Sequence, residues 1–262
     1  MPTRTSHTLL LTALLLARPL AAWADGVPVG PAPTEAQSRP TVGSDGRGGA
    51  IVSYKTASLL VGAVHLNAAG SPDGGFSFGP SLLSLSLEAS EPLRTAVASD
   101  SQLVVVSDRA ATASPMLTCI SSGGGTRAGF PVALQMPLRH PALVPGLSGR
   151  TLLVAKDSDA TSFWTVRAAI VGANGAVEFA VQLSSTLQFF NADVIDACSD
   201  GAGGLIAAMP FYDSNATGSK DIAVWKLAAD GSRPWGDLAL PLVRAANDQT
   251  DVHVVPDGAG GA

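Results

Sequence analysis

The side chains of this chain that could do acid–base, nucleophilic or metal chemistry are few and far apart. After the first 24 residues the histidines are His65, His140 and His253. They form no HExxH, no pair at ligand spacing and no Cys/His cluster, so no zinc site is assigned. His253 falls on an expected strand and is read as structural. Asp157-Ser158-Asp159 is a lone D-x-D. A calcium loop needs further oxygens in register, and the glycine and glutamate of an EF-hand are absent, so a solvated turn is expected.

Hydrolytic chemistry is no better supported. There is no G-x-S-x-G. The only tyrosines are Tyr54 and Tyr212, and the later glutamates are Glu35, Glu88, Glu91 and Glu178. No spacing sets them beside a group of arginines. Two carboxylates can meet across a fold from any sequence separation, so a glycosidase pair stays open as an alternative without a motif to indicate it. Asn215-Ala216-Thr217 matches a glycosylation acceptor and is read as coincidence. Cys119 and Cys198, both in strand-like runs, form no CxxC. Either a bridge between them or two buried thiols is compatible with the sequence. No catalytic, cofactor-binding or metal-binding residue is therefore assigned.

One motif recurs. Asp45-Gly46-Arg47-Gly48-Gly49, Asp200-Gly201-Ala202-Gly203-Gly204 and Asp257-Gly258-Ala259-Gly260-Gly261 share the pattern D-G-x-G-G. Three aspartates presented on one face could hold a cation or ligand. The competing reading is structural: aspartate accepts hydrogen bonds from its own turn amides while glycine allows positive φ. Recurrence at a fixed period favours the structural reading. These glycines precede strands and lack GK[ST], so they are no phosphate loop.

The elements around the motif repeat with it, at about 53 residues. Degraded copies occur at Val97 to Val106 and at Pro145 to Ala155. A second landmark is an apolar strand ending at a glycine: Val61 to Leu66 before Gly70, Val166 to Val171 before Gly175, Ile222 to Leu227 before Gly231. Leu117-Thr118-Cys119-Ile120 before Gly124 is a weaker copy. The ninth, seventh and fourth residues before the glycine are apolar in the first three copies, and the ninth and seventh follow the period of a strand. A third landmark is the aromatic that follows: Phe76, Phe130, Phe179 and Trp235. Each unit reads as turn, strand, strand, glycine turn, outer strand, with about four strands. That period and strand count match a β-propeller blade. No segment after residue 24 sustains a helical period.

Composition agrees. Glycine and proline together make 46 of 262 residues, and charged residues only 14%. Mean hydropathy is +0.29 although no later segment is long enough to span a bilayer. Apolar strands and tight turns give this balance. Residues 1–24 carry Arg4, an apolar run from Leu9 to Leu16, and Ala22-Trp23-Ala24, the layout of an export signal; an uncleaved anchor is the alternative. Its removal leaves 14 basic against 21 acidic residues. A mildly acidic chain without a basic cluster excludes the phosphate-neutralising surface of a nucleic-acid binder and argues against anionic lipid. The Pro-rich stretch 25–38 is read as an outer strand or a linker.

The repeat, as it stands in 196–257, resembles the propeller-type repeats of secreted bacterial proteins that read S-D-G-A-G-G-A-I-V-x-W, D-I-Y-A-Q, then glycine and tryptophan. The likeness covers about 25–262 and is strongest in the first and last units. The family's tryptophan after the first strand is Tyr54 here and Met209 or Phe211 in the fourth unit. The resemblance implies fold and export but no activity. Ser71-Pro72-Asp73-Gly74-Gly75-Phe76 is similar to the Asp-box of sialidase-like propellers. That likeness implies a turn between the third and fourth blade strands, with the aspartate capping loop amides and the aromatic packed inward.

The expectation is thus an all-β chain. It is a β-propeller of about four blades of four antiparallel strands over 39–262, open at its C-terminal end in a fifth unit. Closure at five to eight blades, or at four with 27–33 completing the ring, is left open. The expected function is an exported, non-catalytic binding or scaffold module that meets a glycan or envelope protein at one face, with no cofactor. The alternative is a carbohydrate-active enzyme of sialidase-like architecture. An Arg, Glu and Tyr cluster at the channel mouth would favour the enzyme.

Overall fold

The computed structural model describes residues 37–56, 61–78, 94–97, 103–107, 115–121, 125–134, 138–157, 165–184, 194–212, 219–236 and 239–262. The first sheet comprises β1 (Gln37–Ser44), β2 (Ala50–Thr56), β3 (Val61–Leu66) and β4 (Pro72–Phe78). The second comprises β5 (Arg94–Val97), β6 (Leu103–Ser107), β7 (Met116–Ile120) and β8 (Val132–Ala133). The third comprises β9 (Leu138–Pro145), β10 (Thr151–Asp157), β11 (Thr165–Val171) and β12 (Val177–Ser184). The fourth comprises β13 (Asp196–Ser199), β14 (Leu205–Tyr212), β15 (Lys220–Leu227) and β16 (Leu240–Val243). Each sheet is antiparallel and keeps chain order from one edge to the other.

The first strands of successive sheets lie against one another, β1 on β5, β5 on β9 and β9 on β13. Four consecutive meanders with their first strands gathered at the centre are the blades of a β-propeller. The expected fold class stands.

Burial explains the strand sequences. A blade between two others buries both faces, so its middle strands read as continuous apolar runs rather than alternating ones. On β10, Leu152 and Val154 face the fourth sheet and join a core with Met209 and Trp225. Leu153 and Ala155 face the second sheet and meet Leu117 and Cys119. Each fully buried side chain of this size contributes about 1.5–3 kcal/mol. Between the first two blades the contact is polar: Thr41 Oγ1 lies 2.6 Å from Ser53 Oγ and 2.6 Å from Thr95 Oγ1. Tyr54 is buried beside its cross-strand partner Gly62, where a side chain would run into the phenol ring. Met209, nine residues after its turn aspartate as Tyr54 is after Asp45, takes that position in the fourth blade and is fully buried.

The structure moves the blade boundary. The Asp-Gly turn does not open a blade; it closes the hairpin between first and second strands, as 45–49 does between β1 and β2. An innermost strand precedes the turns at 45 and 200, and β1 begins at Gln37, two residues inside the stretch read as outer strand or linker. By the same register Ala262, after 257–261, aligns with the start of a second strand. The rest of 25–38, the N-terminal segment and Asn215 lie outside the described residues.

Residues 251–256 stand where a fifth innermost strand would, yet carry no strand ladder. Val252 and Val254 pack on Ala208, Ile222 and Val224 of the fourth sheet.

Candidate functional site

Each blade has two ends, and they differ in chemistry. One end holds the turns from first to second strand and from third to fourth. There the three D-G-x-G-G copies adopt one geometry. Asp45, Asp200 and Asp257 each donate their N–H to the carbonyl four residues on, at 3.2, 3.1 and 3.1 Å. Oδ1 of Asp45 accepts from Arg47 N at 2.7 Å and Gly49 N at 2.8 Å. Oδ1 of Asp200 accepts from Ala202 N at 2.8 Å and Gly204 N at 2.7 Å. Oδ1 of Asp257 accepts from Ala259 N at 2.7 Å and Gly261 N at 2.9 Å. The second and fourth residues are glycines at φ 71° to 91° in every copy, a region closed to most L-residues.

In the first and fourth blades the other carboxylate oxygen meets a basic side chain from the third strand. His65 Nε2 lies 2.9 Å from Asp45 Oδ2, and its Nδ1 lies 3.3 Å from Asp73. Lys226 Nζ lies 3.7 Å from Asp200 Oδ2 and donates to Gly260 O at 2.7 Å. His65 pairs with Ile51 and Lys226 with Ile206, the same step of two hairpins. In the third blade Gly146 replaces the aspartate and Ile170 replaces the cation. That loop closes instead through Gly146 N to Arg150 O at 2.9 Å and a 3₁₀ turn. Aspartate and cation are lost together, as expected of a structural pair. The His65 hydrogen bond, helped by the amides of Arg47 and Gly49 and opposed by burial, holds the Asp45 carboxyl below its ordinary range. Both oxygens of Asp45 and Asp200 are spoken for, and both residues are buried, so these turns hold the fold.

The Asp-box reading is half right. Its turn does join the third and fourth strands, but Asn67 caps it, accepting from Ala69 N at 2.9 Å and Ser71 N at 3.1 Å. Asp73 sits on β4 and turns to His65. The Phe76 side chain lies outside the described residues. The weak fourth copy of the glycine landmark is genuine: Ser121 N donates to Gly125 O at 2.8 Å as Asn67 N does to Ser71 O at 2.9 Å.

The opposite end, where each first strand begins, carries a cleft of about 510 Å³. Arg94, Asp196, Lys220, Asp251 and His253 supply its polar groups, and Val194, Pro210 and Val252 an apolar wall. Arg94, Asp196 and His253 share one register position. Counted back three residues from the end of the first strand, the units place there Thr41, Arg94, Ala142, Asp196 and His253. One layer of the innermost strands thus supplies three of the lining residues. His253 is not on a strand as expected; its side chain is 86% exposed, with Nδ1 3.5 Å from Asp196 Oδ2. A polar residue recurring at one step of an apolar strand was the available signal, and single-motif reasoning passed over it.

Asp196 is heavily engaged. Oδ1 accepts from Ala197 N at 3.0 Å, and Oδ2 accepts from Val254 N at 2.9 Å beside the His253 ring. Among the described residues the lining includes no glutamate and no tyrosine. Glu178 instead pairs with Arg150 Nε at 2.8 Å. Cys119 and Cys198 are buried thiols in different blades and form no disulfide; burial, then the nearby Asp196, Asp200 and Asp257, pushes the Cys198 thiol up. Among the described residues no three His, Cys, Asp or Glu are placed to hold a metal. No helix among them is long and apolar enough to cross a membrane. Asp157 ends β10, while Ser158 and Asp159 fall outside the described residues, as do the side chains of Asp157 and His140.

No protein-family model and no curated relative matches the chain. Among solved structures it is similar to a subtype N10 neuraminidase-like protein of A/little yellow-shouldered bat/Guatemala/060/2010, at 12% identity and TM-score 0.47, over 78% of this chain and 60% of that one. It is similar to an endo-arabinase from Bacteroides thetaiotaomicron at 12% identity and TM-score 0.48, over 81% and 82%. A protein of unknown function from Dyadobacter fermentans matches at 12% identity and TM-score 0.46, over 82% and 70%. The chain therefore spans less than two thirds of the neuraminidase-like protein's length. Likeness at this level carries no statement about activity.

Proposed function

We propose that this protein is an exported, non-catalytic β-propeller that binds a ligand in the cleft at the entry to its innermost strands. The observation that carries the reading is the state of Asp196. Both of its oxygens are used to hold Ala197, Val254 and His253 in place, whereas a general acid or base must have an oxygen within reach of substrate. The volume, about 510 Å³, lies inside the range of small-ligand sites, roughly 300–1,000 Å³. Export rests on the layout of residues 1–24, and the partner is a glycan or an envelope protein.

A second reading, carbohydrate hydrolysis, is favoured by one observation: Asp196 and Asp251 line the same cleft, and two carboxylates are the usual glycosidase apparatus. Binding measurements on polysaccharide and peptide panels, run beside reducing-end assays on the same polysaccharides, separate the two. Binding without turnover is expected. Turnover that disappears in Asp196→Asn and Asp251→Asn would establish the hydrolase instead.

A further inference from the structure

We propose that the occupant of the cleft is an extended peptide segment bearing one acidic and one basic side chain. This step rests on reading the cleft as a binding site and names its ligand.

The lining presents fixed charges of both signs close together. Arg94 and Lys220 are cations, Asp251 is an anion, and His253 adds an exposed imidazole. Among the described residues no phenyl, phenol or indole ring lines the cleft. A sugar ring offers hydroxyls and a flat face of C–H groups, and it gains most from an aromatic platform beside its hydrogen bonds. A peptide offers what this lining complements: an ammonium or guanidinium for Asp251, a carboxylate for Arg94 or Lys220, and small apolar groups for Val194, Pro210 and Val252. An extended chain advances about 3.3 Å per residue, so a few residues fill such a volume.

The backbone that carries these charged side chains is held in place before any ligand arrives, which lowers the ordering cost of binding. Asp196 fixes Val254 and hence the segment that carries Asp251 and His253. Lys220 is held on both sides of its peptide group: its N–H donates to Asp248 Oδ1 at 2.9 Å, and its carbonyl accepts from Gln249 N at 2.9 Å. Arg94 comes from the ladder of the second blade, paired with Val106. The layer is one repeat position, and its residue differs from blade to blade. Thr41 and Ala142, at the same step, show how widely it varies.

The test uses the full chain and fluorescence polarisation. The probes are labelled hexapeptides of glycine and serine with one glutamate and one lysine separated by zero to three residues. A charge-free hexapeptide and soluble neutral and uronic-acid polysaccharides are run in parallel. At least one charged peptide is expected to bind, more weakly as salt rises. Arg94→Gln and Asp251→Asn are each expected to weaken binding about tenfold, the worth of one charge-assisted contact. Asparagine tolerates the positive φ of Asp251, and unchanged melting of both variants guards against misfolding. Equal binding of the charge-free peptide, or undiminished binding by both variants, overturns the proposal. Polysaccharide binding without peptide binding overturns the peptide and leaves the binding site standing. No binding by any probe overturns both.

Discussion

Asp196 holds Val254 at the step of the repeat where Thr41 holds Thr95. Thr41 Oγ1 lies 2.6 Å from Thr95 Oγ1, joining the first blade to the second. Val254 N donates to Asp196 Oδ2 at 2.9 Å, joining the fourth blade to the segment beyond it. In both, the earlier blade contributes the layer residue and the next unit the residue just after its own layer position, Thr95 after Arg94 and Val254 after His253. Residues 251–254 are therefore docked in blade register, although no ladder holds them.

That docking depends on one side chain. Asp196→Ala is expected to speed amide hydrogen exchange at Val254 at least tenfold, the loss of about 1–2 kcal/mol for a hydrogen bond to a charged acceptor. Asp196→Asn, which keeps an oxygen acceptor, should retain part of the protection. Unchanged exchange in the alanine variant would mean that packing of Val252 and Val254 holds the segment unaided.

The three Asp-Gly turns share a geometry but not a stability cost. Asp200→Ala strips partners from Ala202 N, Gly204 N and Lys226 inside the structure. About 2–4 kcal/mol is expected in a urea titration. Asp257→Ala makes the same deletion at an exposed turn, and should cost under about 1 kcal/mol. Similar costs for the two variants would show that burial does not set the value of the turn.

The glycines within one turn separate conformational from steric need. At Gly201 the φ is 75° and an added methyl group meets nothing. Gly201→Ala should therefore cost only the left-handed penalty, about 1–2 kcal/mol. At Gly204 a methyl group would run into Leu227 O and stand 2.7 Å from Asp200 Oδ2. Gly204→Ala must push the first hairpin off the third strand and should lose several kcal/mol, within the range of severe core changes. Thermal melts of the two variants measure the difference, and equal melting temperatures would refute it.

The fold was legible because its signals are local. Turn aspartates, the glycine before each outer strand and the continuous apolar runs recur at one period, and β7 occupies Met116–Ile120, as its run of residues indicates. Blade boundaries were less so. The most conspicuous motif, Asp200 to Gly204, lies inside a hairpin, while the innermost strand before it is short and carries Asp196 in place of an apolar residue. The cleft escaped because its residues come from Arg94, Asp196, Lys220 and His253, separated by up to three blades of chain. No spacing joins them; only the register of successive sheets does. The Asp45–His65 pair was hidden likewise, since its cation is histidine in one blade and Lys226 in another.

That pair predicts how stability responds to acid. Asp45 has its carboxyl lowered from an ordinary 3.8, chiefly by the His65 hydrogen bond. A group depressed in the folded state binds protons more readily when unfolded, so its contribution is complete above the ordinary value and disappears as pH falls through the folded one. Asp45→Asn preserves shape and an acceptor for Arg47 and Gly49 but removes the charge that His65 meets. The stability gap between the natural protein and this variant should close as pH falls below 3.8. Urea titrations from neutral pH to about pH 2 follow it. A gap that stays constant or widens in acid would show that the neighbours of Asp45 do not hold it ionised.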